Sequence, residues 1–367
     1  MSPGPHLERI LMTADAVGGV WTFAIELITE LRKRNVQVFL ATMGASLTSA
    51  QHRQISELNN VKLFESKYKL EWMEDPWRDV CEAGRWLLEI ERECEPDLIH
   101  LNGFAHGCLR WNAPVLMAGH SCVLSWWQAV KGTHVPSSWD KYREAVSTGL
   151  RCADIVVAPT RTMLSWLESL YGPFRRSMPI YNGRELLNGC SPPPKEDFIF
   201  TAGRIWDEAK NISALDKIAC DLEWPVYSAG GTCYPGCGKV KLENINPLGN
   251  LNQPEIAGWY RRAAIYALPA RYEPFGLTVL EAALCGCALV IGDIPSLREL
   301  WDGAALFVPP DRPETIRDNI RDLIRDAKTR NHLADQARMR AAGFSRERMV
   351  QGYLCAYKRI SGLSVRK

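Results

Sequence analysis

The sequence lacks a marked excess of either charge and any long apolar run. Lysine and arginine number 44 against 42 aspartates and glutamates, which leaves a formal net charge of +2. Such a balance gives no reason to expect nucleic acid or a strongly acidic partner. No apolar run is long enough to span a membrane, and the first residues lack the charged-then-apolar order of a signal peptide. We therefore expect a cytoplasmic protein without a transmembrane segment, either soluble or peripheral at the membrane.

Patterns typical of metal sites are also missing. The two closest cysteine pairs, Cys233 with Cys237 and Cys285 with Cys287, have neither a second pair nor histidines at zinc-finger spacing. No Asp-x-Asp pair is present to hold a metal ion. We therefore predict no metal and no cofactor. Several other cysteines lie in apparent core segments and are predicted to be buried free thiols. These are Cys122, Cys152, Cys220 and Cys355.

The dinucleotide-binding fingerprint is absent from an otherwise Rossmann-type beginning. Strands are predicted over 10–14 and 36–42, on either side of an amphipathic helix predicted over 21–34. The turn before this helix contains Gly18 and Gly19 but no G-x-G-x-x-G, and no acidic residue ends the second strand. This argues against a nicotinamide-dependent dehydrogenase. On local grounds the glycine pair is either a tight turn alone or a place where the backbone approaches a ligand.

The length of 367 residues and two successive runs of alternating strands and helices predict two domains. Each run predicts a parallel sheet of the Rossmann type, so the expected fold class is α/β. Composition changes at 187–197, where three prolines follow one another, and we interpret this segment as the linker. The other predicted parts are an N-terminal domain at 1–186, a C-terminal domain at 198–344 and a closing helix in 345–367.

The most informative stretch lies in the second predicted domain, between two short apolar strands. A helix predicted over 277–284 contains Glu281 and follows a loop with Glu273 and Gly276. A loop that leads into a helix N-terminus suits phosphate, and glycine permits close approach of a ligand. Ionised carboxylates accept hydrogen bonds from hydroxyl groups. The pattern therefore fits a nucleotide-sugar site, although a solvated loop charge followed by a helix charge would give the same spacing.

Two cations and one histidine lie at comparable places in the chain. Arg204 follows the first predicted strand of the second domain, and Lys210 precedes the next helix, where both could neutralise a diphosphate. His120 ends a predicted strand of the first domain, and ligands of open α/β sheets collect at such ends. Trp126 and Trp127 follow closely. Their aromatic faces suit sugar rings, while core packing is the alternative for each.

Two of these segments resemble motifs of the retaining glycosyltransferases of family 4. Glu273, Phe275-Gly276 and Glu281 resemble the donor-site signature of that family, with the second glutamate eight residues after the first. Gly203-Arg204 with Lys210-Asn211 resembles its diphosphate motif. The resemblance extends over nearly the whole chain. It implies the GT-B fold, in which two Rossmann-like domains with parallel sheets face an interdomain cleft.

The resemblance also implies a role for each matching residue. Glu273 would contact the transferred sugar, Glu281 the ribose of the donor, and Arg204 and Lys210 the diphosphate. His120 would lie in the cleft. The predicted catalytic residues are His120, Glu273, Arg204 and Lys210. Further donor contacts would come from backbone groups, and the backbone of Leu251 would contact the nucleobase. These groups belong to Gly18, Gly19, Leu251, Phe275, Gly276 and Leu277.

The implied activity is transfer of a sugar from a nucleoside diphosphate sugar to a hydroxyl group, with retained anomeric configuration. The acceptor would be a small molecule, a glycan or a lipid-linked compound, and Trp126 or Trp127 is expected to stack on it. Because Glu273 lies beside the amides expected to hold the diphosphate, no covalent glycosyl-enzyme is expected. An epimerase or glycan phosphorylase of the same fold, or a non-catalytic nucleotide-sugar-binding subunit, remains an alternative.

Overall fold

The computed structural model describes residues 6–185, 194–232 and 240–363. The described chain forms two compact units. The first unit comprises the residues up to Gln128, Thr133–Gly183 and those from Arg346 onward. The second comprises Ala129–Gly132 and the described residues from Arg184 to Ser345.

The strands and helices alternate in both units. In chain order, the strands are β1 Arg9–Asp15, β2 Gln37–Met43, β3 Val61–Glu65, β4 Leu98–Leu101, β5 Val115–Ala118, β6 Ile155–Ala158, β7 Ser177–Pro179, β8 Glu196–Ala202, β9 Val226–Ala229, β10 Asn246–Gly249, β11 Ala263–Leu268, β12 Ala288–Gly292 and β13 Leu306–Val308. The helices are α1 Gly19–Arg32, α2 Ser49–Ser56, α3 Trp77–Cys94, α4 Val123–Lys131, α5 Asp140–Cys152, α6 Arg161–Tyr171, α7 Ile212–Ala219, α8 Gln253–Arg262, α9 Leu277–Leu284, α10 Pro295–Trp301, α11 Pro313–Arg325, α12 Ala327–Ala341 and α13 Arg346–Ser361.

Each unit contains one parallel sheet, as the sequence predicts. Over the described residues, the first sheet has seven strands in the order β3-β2-β1-β4-β5-β6-β7. The second has six strands in the order β10-β9-β8-β11-β12-β13 over the same described ranges. Both orders reverse direction beside their first strand, at β1/β4 and at β8/β11. Such a topological switch point, at the carboxyl ends of the strands, is where open α/β sheets bind ligands.

The first sheet is covered on both faces. Alternate residues of β1 belong to two different apolar clusters, Ile10 and Met12 to one and Leu11 to the other, because successive side chains of a strand point to opposite faces. The first cluster also contains residues of α1 and α13, and the second contains residues of α3, α5 and α6. No helix in the described ranges is both long and apolar enough to cross a membrane.

The packing of α13 changes one expectation about α1. The amphipathic pattern of α1 places Glu26 and Glu30 away from its apolar face, yet the structure leaves these residues only 6% and 3% exposed. Arg346, the first residue of α13, pairs with Glu26 and places its Nη1 3.6 Å from Glu30 Oε1. Buried carboxylates are tolerated when a cation compensates them, so this second face of α1 is also an interface.

The prediction of buried free thiols was wrong for three cysteines. Cys152, exposed at the end of α5, forms a disulfide with Cys108 in the loop after β4. Cys220 and Cys355 are exposed thiols, because they lie just after α7 and on the outer face of α13. Cys122 is buried and free as predicted. The free thiols Cys285 and Cys287 are also buried, whereas Cys233 and Cys237 lie outside the described residues.

The predicted linker lies mostly outside the described residues as well. Of 187–197, only 194–197 are described, and Glu196 and Asp197 already belong to β8. The second sheet therefore begins two residues earlier than the sequence pattern indicates.

The loop after β8 depends on a close backbone contact. Gly230, just after β9, has a φ of 136°, and a Cβ atom there would lie 1.8 Å from the carbonyl oxygen of Gly203. Gly203 in turn donates its N–H to the Ala229 carbonyl at 3.0 Å. Only glycine fits at Gly230, and its contact holds the loop that carries Arg204.

We predict that Gly230→Ala lowers the free energy of unfolding by about 1–3 kcal/mol, the usual cost of overpacking. Gly258→Ala is the matched control, because a Cβ atom at that position of α8 meets no atom within 4 Å and alanine favours helix. Urea denaturation of both variants measures the difference. Equal stability of Gly230→Ala and the wild type would contradict the steric account.

Candidate active site

Two neighbouring loops of the second unit interlock at its switch point. One loop follows β8 and carries Arg204 and Lys210, and the other follows β11 and carries Glu273. Lys210 Nζ lies 2.5 Å from Glu273 Oε2, and both side chains are largely buried. The backbones are also joined, because the Arg271 N–H donates to the Ala209 carbonyl at 2.8 Å. The structure thus brings the predicted cation and carboxylate into direct contact.

The Glu273 loop is held in place as it enters α9. The Ser296 hydroxyl donates to the Glu273 carbonyl at 2.6 Å, and the Phe275 N–H lies 3.4 Å from Glu273 Oε1. Gly276 caps α9 with a φ of 86°, a left-handed conformation that favours glycine. From Leu277 onward, the first N–H groups of α9 have no carbonyl partner within the helix. Such a helix end suits an anion, and here it lies beside the Lys210–Glu273 pair.

Arg204 is oriented by a residue that the sequence pattern did not single out. Its Nη2 lies 2.8 Å from Asp207 Oδ2, and its guanidinium lies 5.3 Å from the centre of the Trp206 ring. The buried Asp207 also accepts the Ala209 N–H at 3.0 Å. A carboxylate midway between the two cations was the available signal.

Glu281 contacts a cation, Arg184, that sequence reasoning missed. Arg184 Nε donates to Glu281 Oε1 at 2.8 Å, and Arg184 Nη2 donates to Gln253 Oε1 at 2.6 Å. Gln253 begins α8, just after the half-buried Leu251. No local pattern marks Arg184, because 97 residues separate it from Glu281.

The glycine pair of the first unit stands at the switch point of the first sheet. Gly18 caps α1 with a φ of 96°, and Gly19 is the first residue of that helix. Both are exposed, so their backbone is open to solvent. The Val17 N–H donates to Asp15 Oδ1 at 2.7 Å, which closes the turn.

His120 follows β5 and is held by Asn102, which follows β4. The Asn102 amide nitrogen donates to the Thr13 carbonyl at 2.7 Å, so its oxygen faces His120 Nε2 at 2.8 Å. This arrangement assigns the Nε2–H tautomer to the imidazole. Burial lowers the pKa of His120 to about 4, because it disfavours the charged form. His120 is therefore neutral near pH 7.

His100 contributes to the same polar cluster. It lies on β4, wholly buried, with its Nδ1 2.7 Å from the Tyr357 hydroxyl of α13. Burial, followed by the nearby His120, lowers the pKa of His100 to about 3.

The two tryptophans expected at the acceptor side lie on α4 and are half-buried. Trp126 and Trp127 meet edge to face, with ring centres 6.3 Å apart. The Trp127 indole N–H donates to the Thr133 hydroxyl at 3.1 Å. Each ring therefore keeps part of its surface open to solvent, in contrast to a fully buried core tryptophan such as Trp301.

Two polar clusters, each within one unit, thus contain several of the predicted residues. The cluster of the second unit joins Lys210 to Glu273 and α9, with Arg204 and Glu281 each paired to another residue. The cluster of the first unit is centred on His120. Over the described parts of the chain, no group of three histidine, cysteine, aspartate or glutamate side chains is arranged to hold a metal ion.

We predict that His120 makes stability depend on pH. Its pKa is about 4 in the folded protein and about 6.5 in the unfolded chain. The unfolded state binds more protons between these values, so the free energy of unfolding falls as the pH drops from 6.5 to 4. His120→Gln keeps an amide N–H for Asn102 but does not titrate, and its stability should fall less steeply over this range. Urea denaturation across the range tests this, and identical slopes would show that His120 binds a proton as readily in the folded protein as in the unfolded chain.

Two family models match the chain. The model described as Glycosyltransferase Family 4 matches residues 17–186, and the model described as Glycosyl transferases group 1 matches residues 238–340. The first match contains Gly18, Gly19 and His120, and the second contains Glu273 and Glu281.

Curated relatives and solved structures agree with these models. A D-inositol 3-phosphate glycosyltransferase of Frankia alni is 37% identical over 108 residues, 29% of this chain and 26% of that protein. The chain thus spans about a quarter of the length of the first curated relatives it matches. One from Kineococcus radiotolerans is 24% identical over 95% of this chain and 91% of its own. Sucrose-phosphate synthase from Thermosynechococcus elongatus superposes with a TM-score of 0.81 at 16% identity, over 96% of this chain and 98% of its own. The chain therefore belongs to the glycosyltransferases of family 4 and has their GT-B fold.

Proposed function

We propose that this protein transfers a sugar from a nucleoside diphosphate sugar to a hydroxyl group, with retention of anomeric configuration. The observation that carries the proposal is the contact of Lys210 with Glu273 at the switch point of the second sheet, 2.5 Å apart and beside the N-terminus of α9. A cation, a carboxylate that accepts hydrogen bonds from hydroxyls, and the N-terminal amides of α9 then lie within one small region. A sugar diphosphate offers the complementary groups.

The diphosphate would be held by charge and by backbone. Arg204 would bind phosphate oxygens through its planar fork, and Lys210 would act as a point charge. The amides from Phe275 to Leu277 add the positive end of the α9 dipole. Negative charge that develops on the leaving diphosphate is stabilised by these groups. In this proposal these groups supply the positive charge that a metal ion supplies in other transferases, so no metal is required.

The donor's other parts would meet the remaining residues of the cluster. Glu273 would accept hydrogen bonds from hydroxyls of the transferred sugar, and Glu281 from hydroxyls of the ribose. The backbone of Leu251 would face the nucleobase, and the backbone of Gly18 and Gly19 another part of the donor. Because the contact of Glu281 with the ribose is the same before and during the reaction, Glu281 serves mainly donor binding.

The proposed chemistry is a front-face displacement without a covalent intermediate. Double displacement would need a carboxylate nucleophile beneath the anomeric carbon. Glu273 is poorly suited to that role, because one of its oxygens contacts Lys210 and the other faces the Phe275 amide. The acceptor oxygen would instead attack from the face that the diphosphate leaves. The new glycosidic bond forms as the bond to the phosphate oxygen breaks, and the hydroxyl proton passes to a phosphate oxygen.

The role proposed for His120 is to contact the transferred sugar as a neutral group. Neutrality is supported by its lowered pKa of about 4. A neutral imidazole tolerates the positive charge that develops at the anomeric carbon, which an imidazolium would repel. The acceptor would be a small molecule, a glycan or a lipid-linked compound, stacked on Trp126 or Trp127.

The activity is tested by release of nucleoside diphosphate from a panel of UDP-, GDP- and ADP-sugars with candidate acceptors. Sugar transfer from one donor supports the proposal. Conversion of the donor sugar without any acceptor would indicate an epimerase, and a requirement for inorganic phosphate a phosphorylase. Binding without turnover would indicate a non-catalytic subunit. Failure of every donor to bind would overturn the proposal.

We predict that Arg204→Ala and Lys210→Ala each raise the barrier of the transfer by about 2–4 kcal/mol, the usual effect of removing one electrostatic contact to a developing charge. Lys217→Ala is the matched control, since Lys217 is an exposed cation on the neighbouring α7. Turnover at saturating donor is measured, with thermal unfolding to verify the fold. Turnover of the Lys210 variant within a few-fold of the control would show that this lysine acts only within the fold.

We predict full activity after treatment with EDTA and a product with the donor's anomeric configuration. Mass spectrometry of the protein quenched during turnover should find no sugar attached to Glu273. Anomeric proton couplings in the NMR spectrum of the product give the configuration. Inactivation by the chelator would contradict the metal-independent mechanism, and a trapped glycosyl adduct on Glu273 would contradict the front-face step.

A further inference from the structure

Arg184 is anchored at three points beside the cluster of the second unit that contains Lys210, Glu273 and Glu281. We call this the donor-side cluster. The Nε of Arg184 donates to Glu281 Oε1 at 2.8 Å, and its Nη2 donates to Gln253 Oε1 at 2.6 Å. Its backbone N–H donates to the Phe344 carbonyl at 3.1 Å. The Arg184 and Glu281 side chains are only 12% and 10% exposed. The guanidinium is therefore fixed in both position and plane.

A fixed guanidinium orients the carboxylate that it contacts. The donors of arginine form a rigid planar fork, so a bond to one oxygen of Glu281 constrains the direction in which the whole carboxylate faces. A largely buried charge without such a partner would be costly. Arg184 thus defines one rotamer of Glu281 before any ligand arrives.

The second anchor connects Glu281 to another part of the cluster. Gln253 is the first residue of α8 and lies two residues after Leu251. Arg184 therefore bridges the carboxylate assigned to the ribose and the segment assigned to the nucleobase. A single side chain sets the spacing between two contacts to the same nucleoside.

We propose that Arg184 is a positioning residue for the donor nucleoside, which holds Glu281 so that it accepts hydrogen bonds from the ribose hydroxyls. This inference rests on the proposed function, because it takes a nucleoside diphosphate as the ligand. Arg184 itself would act through Glu281 and Gln253. Its loss should therefore weaken recognition of the ribose hydroxyls more than binding of the rest of the nucleotide.

The test uses calorimetric binding of nucleoside diphosphates, which needs no turnover and no acceptor. The best-bound of UDP, GDP and ADP is compared with its 2′-deoxy and 3′-deoxy forms on the full chain. The wild type should prefer the ribose form over at least one deoxy form by about tenfold or more, as expected for a hydrogen bond to a charged group. Arg184→Met, which keeps the length but removes the fork, should lose most of this preference. Its affinity for the less favoured deoxy form should change by less than about threefold.

Two further variants separate positioning from a structural role. Arg184→Lys keeps a charge for Glu281 but lacks the rigid planar fork, and it should give an intermediate preference. If Arg184→Met does not fold, the ribose preference of Arg184→Lys tests the positioning role by itself. Arg325→Met removes an exposed arginine that pairs with Glu223 at 2.7 Å and should leave the preference unchanged.

The possible failures are distinguishable. If the wild type binds none of the three nucleoside diphosphates, both the proposed function and this inference are overturned. If it binds them without any preference for the ribose hydroxyls, or if the Arg184 variants keep the full wild-type preference, only the role of Arg184 is overturned. A uniform loss of affinity for ribose and deoxy forms alike would likewise show that Arg184 supports the fold and not ribose recognition.

Discussion

The parallel pairing of β8 with β11 is the constraint on which the donor-side cluster depends. Ile199 is paired with Ile265, and Phe200 with Tyr266, so the two strands end at the same edge of the sheet. The loops that follow must then lie side by side, although the strands are distant in sequence. The buried Tyr266 hydroxyl joins the ends of these elements, at 3.2 Å from the Ala202 carbonyl and 2.8 Å from the Thr278 hydroxyl of α9.

Charge compensation is the second requirement of this edge. The carboxylates Glu273, Glu281 and Asp207 are all buried, and each contacts a cation at 2.5 to 2.8 Å. Removing charges from water is costly unless partners replace the lost hydration. The pairs therefore preserve a polar site inside a packed region. In the proposed function, phosphates would contact the cations Arg204 and Lys210, and hydroxyls would donate hydrogen bonds to Glu273 and Glu281 while Arg184 stays on Glu281.

The two units place their polar clusters at the same point of the same sheet topology. In both sheets the first strand lies between the second and the fourth strand of its unit, and the cluster of interest lies at that point. In the first unit the cluster is nearly uncharged, with a neutral histidine held by an asparagine. In the second unit it is rich in ion pairs. In the proposed function, the cluster of the first unit would contact the transferred sugar and that of the second unit the diphosphate.

Local patterns determined most of the elements. The bounds predicted for α9, 277–284, agree with the structure, because helix-forming residues and a glycine just after the end are local signals. Two helices, α2 and α4, were not predicted. The capping box of Thr48 and Gln51 at α2 was a usable signal, whereas α4 follows a short polar segment without one. The short β10 was also missed, since its proline and glycine argue against a strand.

What the sequence by itself determined is the family, the two parallel sheets and the chemical types gathered at their edges, because these follow from periodicity and from short motifs. Tertiary structure alone decided which partner each charge has. Asp207 orients Arg204, Lys210 meets Glu273, and Arg184 reaches Glu281 across 97 residues of sequence. It also decided that Cys152 is disulfide-bonded and that Glu26 is buried. The physical reason is that ion pairs, disulfides and burial depend on distances between elements, and a linear pattern carries no information on those distances.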